Sequence, residues 1–519
     1  MRIAIIGAGV SGLTTAYYLK QNPLTQGADI TIYEKAAQVG GNADTMQVIL
    51  PNPPGADIQR WVDMGVNDFN LSTYMPLREL WQELNIMNHN KPCPSASEFC
   101  SPLIDTESFS SPGTDGSYGY RYSVDALDNI NVPKGSGADK LLLTNDIKTF
   151  KDALADWYNN PNNTPEGKNE ITVGEWLQSQ SFSNEFIYGN LYPRINGMYF
   201  TLEHVDDLGT PPPSLMPLWM VAHYYILQEA YGQHVMPSLE CSRQYFVGGS
   251  SRWLKFLQQK LSGMNVAINL SCGQIAVSKI TVSEKISKMI ITINGVEEIF
   301  DKVIFATHAD DTFSMIDETF KSDEMVQALQ AFTFSSSTVY VHQDNTFLGP
   351  NQDCNETYNI HIYPYEAGGS NTYPYSISYI VNMHQNDPMN PDPKIKNSPP
   401  FYITINPYWA TQPSNILYQP NGQQAIAILR HCTLNNTAVN AQVLIDEIQL
   451  EAKNERSYYF AGSFARGAGL HMECIIHAQE LANKIADPNY TPIQTYKFNS
   501  KERHFAPKYI LDAITRIKK

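Results

Sequence analysis

The sequence predicts an α/β protein organised around a nucleotide-binding parallel sheet, and three features at its start predict it. Residues 2–6, Arg-Ile-Ala-Ile-Ile, are a short apolar run suited to a strand buried on both faces. Gly7-Ala8-Gly9-Val10-Ser11-Gly12 follows at once and leads into Leu13 to Lys20, a segment with helical packing positions. A second strand pattern at Asp29 to Tyr33 ends in an acid, Glu34.

Each of these pieces has a physical reason. Gly7 permits the tight turn after the strand. Gly9 lets the main chain approach a pyrophosphate, and Gly12 lets the helix pack close to the strand. Val10 and Ser11 open the helix, whose N-terminal amides favour phosphate charge. Glu34 lies 34 − 12 = 22 residues beyond the last glycine, where a carboxylate can bind ribose hydroxyls. An acid at that position disfavours a 2′-phosphate, so NAD or FAD is expected rather than NADP. The alternative is a glycine-rich turn that holds no ligand.

Composition narrows the class. The chain has 519 residues, of which 42% are hydrophobic and 17% charged, enough to bury a large core in two to four domain-sized pieces. The formal charge is 36 − 52 = −16, which argues against nucleic-acid binding through a basic footprint. No run approaches the ~20 apolar residues that span a bilayer. The first residues already read as a folded strand, so no secretory signal is expected. Seven cysteines are scattered, without a Cys-x-x-Cys pair or a cluster at metal spacing. A reduced, cytoplasmic chain without a metal is the expectation.

The residues after Glu34 distinguish FAD from NAD. Glu34-Lys35-Ala36-Ala37-Gln38-Val39-Gly40-Gly41-Asn42 places a glycine pair just past the ribose-binding acid, and Asp63-Met64-Gly65-Val66-Asn67 follows. At the far end, Tyr458-Tyr459-Phe460-Ala461-Gly462-Ser463 precedes Gly467-Ala468-Gly469-Leu470-His471-Met472-Glu473 and a helix to about Ala486. Arg243 to Ser250 carries a glycine turn before a helix. Val277-Ser278-Lys279-Ile280 and Phe300 to His308 read as strands.

In this order, these segments resemble the flavin-dependent amine oxidase and phytoene desaturase superfamily, and within it the bacterial FAD-dependent amine oxidoreductases. Thr172 to Leu177, Ser378 to Asn382 and Phe401 to Pro407 carry the narrower likeness. The resemblance implies a Rossmann-type FAD-binding domain (GR2-like) with an inserted α+β substrate domain. It implies FAD held non-covalently by Gly7, Gly9, Val10, Ser11, Gly12, Glu34, Lys35, Gly40, Gly41, Asn42, Gly65 and Val66. It further implies a main-chain contact of Val277 with adenine, and contacts of Gly462 and Ser463 with the pyrophosphate and ribityl chain. The main chain of Met472 and Glu473, beside His471, would face the flavin N1/O2 edge, where a helix N-terminus stabilises negative charge.

The expected flavin domain is discontinuous, formed by 1–70, 240–312 and 425–487. Residues 71–239 and 313–424 would form the substrate domain. The stretches 90–140 and 159–170, rich in Ser, Pro, Gly and Asn, read as solvated loops or as lids. Residues 172–204 read as helix and turn. Thr338 to His342, Tyr375 to Met383 and Tyr402 to Ile405 read as strands. The basic tail 488–519 reads as a docked terminal helix or as a peripheral membrane contact.

No catalytic side chain is assigned. His471 and Arg466 are the weak candidates: His471 either sits at the ring or packs the turn, and Arg466 binds either a substrate carboxylate or a nearby loop. Arg194 and His204 are further candidates in the first insert. Cys432 is either a flavin-linking thiol or a buried free cysteine. The resulting expectation is an FAD-dependent oxidoreductase that removes hydride from an amine, an amino acid or a C–C unit. The alternatives are a double-bond isomerase acting on a polyunsaturated fatty acid, or a flavoprotein without turnover. The expected partner is a small-molecule substrate, apolar or lipid in one reading; oligomeric state is not read from the sequence.

Overall fold

The computed structural model describes residues 1–69, 74–86, 100–102, 107–112, 118–124, 129–160, 171–199, 212–227, 244–283, 286–348, 355–362, 375–407, 412–450 and 456–490. His204 and the tail from 491 onward lie outside the described residues.

The opening residues fold as β1 (Arg2–Ile6), α1 (Val10–Gln21) and β2 (Asp29–Tyr33). β1 is the centre of a five-stranded, wholly parallel sheet. β2 and then Val266–Asn269 lie on one side of it, and Lys302–Phe305 and then Tyr458–Phe460 on the other. β1 is apolar throughout because both of its faces are covered. Ile3 and Ile5 point to a core shared with α1, the helix Ser251–Gly263 and the C-terminal helix His471–Ala486. Ala4 and Ile6 point to the opposite core, shared with the helices Asp323–Gln330 and Asn436–Leu450 and the antiparallel strands Ile275–Ser283, Ile286–Ile293 and Val296–Phe300.

The second unit is an eight-stranded sheet. Its order is 426–432, 334–342, 402–405, 375–380, 358–362, 107–112, 118–124 and 130–131, so strands of both inserts share it. The join between the inserts, 358–362 against 107–112, is its parallel pairing; the others are antiparallel. The helices Lys140–Asn159, Val173–Gln178, Tyr192–Tyr199 and Leu218–Leu227 pack into its core.

Three boundaries differ from the sequence reading. Glu107–Pro112 and Tyr118–Val124 are strands, not loops. Their Ser-rich composition hides one inward pair, Phe109 stacked on Tyr122 with centroids 5.1 Å apart, and this pair anchors the strands in the core. Ile426–Cys432 pairs with Phe334–His342 in the large sheet, so the third segment of the nucleotide unit begins near 436 rather than 425. Asp323–Gln330 packs in the nucleotide unit, because Met325, Ala328 and Leu329 fill the core against Ile445 and Ile448.

A hairpin, β3 (Thr45–Leu50) with β4 (Ile58–Asp63), links the two units. Arg60 on β4 makes a buried bidentate ion pair with Asp387 at 2.7 and 2.8 Å, and also donates to Gln385 and Ser398. This satisfies the guanidinium in a region where an unpaired charge is costly.

Candidate functional site

The glycine turns gather at the carboxyl ends of the parallel strands, where open α/β sheets bind their ligands. Gly12 is packed so closely that a Cβ there would overlap the Gly7 carbonyl oxygen. Gly9 is the opposite case: a Cβ would meet nothing nearer than the Gly41 Cα at 3.9 Å. The glycine at position 9 therefore leaves an open cradle, while the glycine at position 12 allows helix–strand contact. Gly9 also caps α1 without a side-chain hydrogen bond, and the first turn of α1 contains no acid. Its N-terminal amides remain available to an anion.

Glu34 is half-buried and holds the turn. Its carboxylate accepts from the Ala8 amide at 2.7 Å and the Ala36 amide at 2.8 Å. The second glycine turn closes against the first, with the Gly40 amide donating to the Ala8 carbonyl at 3.0 Å. Asn42 donates from its side chain to the Arg430 carbonyl and accepts at its own carbonyl from the Val66 amide. Gly65 lies between that carbonyl and Leu429 of the large sheet. Lys35 is exposed and its ammonium is 3.9 Å from Asp311.

The other chain end meets this cradle. Gly462 lies against the Thr307 carbonyl, directly after Ala306, which walls Gly7. Ser463 begins the next turn and packs under Gly469. α1 and the C-terminal helix pack together, with Leu13 and Ala16 in one core with Ile475 and Ala482. Met472 is buried in the first turn of that helix.

Glu473 is buried, and its carboxylate accepts from the Leu470, Gly469 and Ala468 amides; burial nevertheless pushes it up to about 7. Its side chain thus caps its own helix. Val277 is fully buried and its carbonyl accepts from the Asp317 amide at 2.8 Å.

Arg466 is buried and ion-paired with Glu480 and Asp446, which commits its guanidinium to a structural network rather than to a substrate carboxylate. His471 packs on Phe69 at 5.3 Å and Trp253 at 5.6 Å, and burial holds it neutral, lowered to about 3. Its Nε2 has no hydrogen-bond partner among the described residues. Arg194 lies 5.6 Å from the Phe109 ring, in the core of the large sheet. Cys432 is half-buried and free, and its thiol is pushed up to about 12 by burial, the state of an unreactive thiol.

The residues present fit a dinucleotide of the FAD type. The Gly9 cradle would accept the pyrophosphate, and the unpartnered His471 Nε2 is an orphan that a bound group can satisfy. Residues 5–84 match the NAD(P)-binding Rossmann-like domain family. No curated protein matches the chain by sequence.

Solved structures similar to it include a cyclohexylamine oxidase from Brevibacterium oxydans IH-35A, at 13% identity over 94% of this chain and 99% of that one, TM-score 0.57. A CLA-producing fatty acid isomerase from P. acnes is similar at 14% identity over 93% and 98%, TM-score 0.56. A redesigned putrescine oxidase is similar at 11% identity over 93% and 99%, TM-score 0.55. The chain has their fold. At such identities the likeness carries the architecture, a Rossmann-type nucleotide domain with an inserted second unit, and not the reaction.

Two cavities lie near the cradle. One, of about 690 Å³, is polar and open, lined among others by Asp44, Thr45, Ser251, Arg252 and Lys255; it includes none of the glycines 7, 9, 12, 40 and 41. The other is enclosed and has room for about one water molecule. It lies between residues 63–67 and the large sheet, lined by Asp63, Asn67, Tyr379, Val381, His384, Gln385 and Ile403. Sequence reasoning missed His384 and the tyrosines around it. Tyr245 and Tyr379 lie in segments quoted above and Tyr358 does not, and only the fold brings the three beside His384. No helix among the described residues is long and apolar enough to cross a membrane.

Proposed function

We propose that the chain is an FAD-dependent oxidoreductase that removes hydride from a small organic substrate. The observation that carries this reading is the Gly9 cradle: open space at the head of an uncapped helix, beside a carboxylate fixed by the same turn. Gly9, Val10 and Ser11 would hold the pyrophosphate through main-chain amides. Glu34 would hold the ribose, and Gly40, Gly41, Asn42, Gly462, Ser463 and the amide of Met472 would line the rest. Bound there, FAD supplies a hydride acceptor.

The chain's own residues do the remaining work. The N-terminus of the C-terminal helix favours negative charge beside it. Asn42 and Val66 fix the segment 63–67 against the glycine turn, and the large sheet packs against that segment. The likeness to the fatty acid isomerase supports a second reading, in which hydride returns to another carbon of the same substrate. The free cysteines Cys272, Cys432 and Cys474 are in keeping with a reducing compartment, and we place the protein in the cytoplasm.

The test is the spectrum of purified protein after supplementation with FAD, followed by anaerobic addition of amines, amino acids and polyunsaturated fatty acids. Flavin absorbance that bleaches and stays bleached supports oxidation. A product of unchanged mass with a moved double bond supports isomerisation. Folded protein that takes up no flavin overturns both readings.

A further inference from the structure

One side chain holds the turn between Gly462 and the C-terminal helix from outside. Gln442 lies on the helix Asn436–Leu450 and is 8% exposed. Its amide nitrogen donates to the Phe464 carbonyl at 3.0 Å and to the Gly467 carbonyl at 2.9 Å. Its carbonyl oxygen accepts from the Gly467 amide at 3.1 Å. Two carbonyls face one end of the side chain and an N–H faces the other, so a single orientation of the amide satisfies all three. Among uncharged side chains, only a primary amide donates twice and accepts at once.

The rest of the turn is fixed around this contact. Asp446, one helical turn beyond Gln442 on the same face, pairs with Arg466, and Glu480 of the C-terminal helix pairs with that arginine too. Phe464 is fully buried against the Phe332 ring at 4.9 Å. On the inner side, a Cβ at Gly467, where φ is +55°, would meet the Glu473 carboxylate at 2.6 Å. One at Gly469, where φ is +73°, would meet the Ser463 carbonyl oxygen at 2.7 Å. The path of the main chain from Ser463 to the helix start is thus set by side chains outside the turn.

We propose that Gln442 is a positioning residue for the flavin half of the cofactor; this rests on the FAD-dependent reading above. It holds the turn 464–467 in its binding conformation before the cofactor arrives, and so sets where the main chain of Gly462, Ser463 and Met472 stands. The adenosine half has separate support, because the Gly9 cradle and Glu34 are built within residues 7–41. Loss of Gln442 therefore weakens the two halves unequally. It leaves three main-chain groups without partners, and the turn gains conformations that do not bind. Affinity falls by the fraction of molecules lost from the binding one.

The experiment measures the dissociation constants of FAD and of ADP for the flavin-free full chain, as wild type, Gln442→Met and Gln442→Glu. Methionine keeps the length of the side chain without its hydrogen bonds. In Gln442→Met the FAD affinity should fall about 10–100-fold while the ADP affinity stays within about twofold. An ionised glutamate accepts from the Gly467 amide but donates to neither carbonyl, whereas its protonated form donates to one. Relative to wild type, FAD affinity in Gln442→Glu should therefore recover as pH falls from about 8 to about 5.5, a response that packing alone would not produce. A further readout needs no variant and no cofactor. In flavin-free wild type the Gly467 amide should exchange with solvent at least about 10²-fold more slowly than in an unfolded chain, read by mass spectrometry of fragments spanning 462–470.

Wild type that binds FAD, with a Gln442→Met variant that loses FAD and ADP affinity equally or loses neither, overturns this inference and leaves the flavin reading standing. A Gly467 amide that exchanges as in an unfolded chain does the same. If Gln442→Met does not fold, the pH response of Gln442→Glu and the exchange rate decide. Folded wild type that takes up no FAD overturns the flavin reading, and this inference with it.

Discussion

In the parallel-sheet unit the polar groups that face the candidate cofactor site are main-chain amides, exposed where glycine removes the side chain. In the large-sheet unit the polar groups near the site are side chains sunk into a core: His384, Asp63, Gln385 and the Arg60–Asp387 pair. The first arrangement suits an anion such as a phosphate, and it needs only a turn of chain. The second is assembled from positions 60, 245, 358, 379, 384 and 387, and can be retuned without disturbing the first. The two units thus differ in construction: main-chain turns on one side and buried side chains on the other.

The strongest test of that separation uses the two glycines that stand three residues apart. Gly9→Val should leave the flavin-free fold intact, since a Cβ has room there, but should yield colourless protein after purification with excess FAD. Gly12→Ala should instead damage the fold, because its Cβ overlaps the Gly7 carbonyl oxygen. Circular dichroism and the ratio of flavin to protein absorbance distinguish the two losses. A yellow Gly9→Val protein would overturn the cradle assignment.

In the large-sheet half, Arg60→Met should cost about 3–5 kcal/mol in denaturant unfolding, because it leaves Asp387 buried and uncompensated. The double variant Arg60→Met with Asp387→Leu should recover most of that loss. Equal losses in the single and double variants would show that the pair fixes geometry rather than charge balance.

Acid stability divides along the same line. Burial lowers His342, His361 and His384 to about 4, and His431 and His471 to about 3. Four of these five belong to the large sheet or the turn that continues it. Their contribution is complete above the unfolded value near 6.5 and is lost as pH falls toward 4 and 3. Asp63 and Glu473 are raised to about 7, so their contribution is complete below about 4 and is lost as pH rises through 7. With His308 and His477 lowered as well, the histidines outnumber the raised carboxyls Asp44, Asp63, Glu185, Asp387 and Glu473, so the melting temperature should fall as pH drops from about 6.5 to 4.5. Calorimetry showing no fall there would mean that the histidines are not held neutral.

The smallest expected change is at the cradle. Glu34→Ala should weaken FAD binding by about 1.5–3 kcal/mol through loss of a charged hydrogen bond, and should loosen the turn that its carboxylate ties to the Ala8 amide. Titration of the flavin-free protein with FAD measures it. An unchanged dissociation constant would confine Glu34 to holding the turn.

The nucleotide half was largely legible because its signals are local. Gly7 to Gly12 and Glu34 state their geometry within a few residues, and the structure places them together with Gly462 from the far end. The large sheet was legible only where strands are β-branched, as at 375–380 and 402–405. Glu107–Pro112 escaped because a single buried Phe109 in a Ser-rich segment carries no period. Arg466 was read as binding a substrate carboxylate or a nearby loop, because its ion pairs to Glu480 and Asp446 depend on two helices that only the fold brings to it. His384 could not be found at all, since what distinguishes it is three rings contributed by distant strands.

The order of the parallel sheet has a consequence for biosynthesis. Its strands come from residues 2–6, 29–33, 266–269, 302–305 and 458–460, and the helix that stands beside α1 starts at 471. A nascent chain on the ribosome can therefore form the first β-α-β turn early, yet has no neighbour for one edge of β1 until some 300 residues have emerged. During that interval the edge is open to wrong pairing. Truncation near the carboxyl terminus should thus be far more damaging than the distance from the glycine turn along the chain would imply.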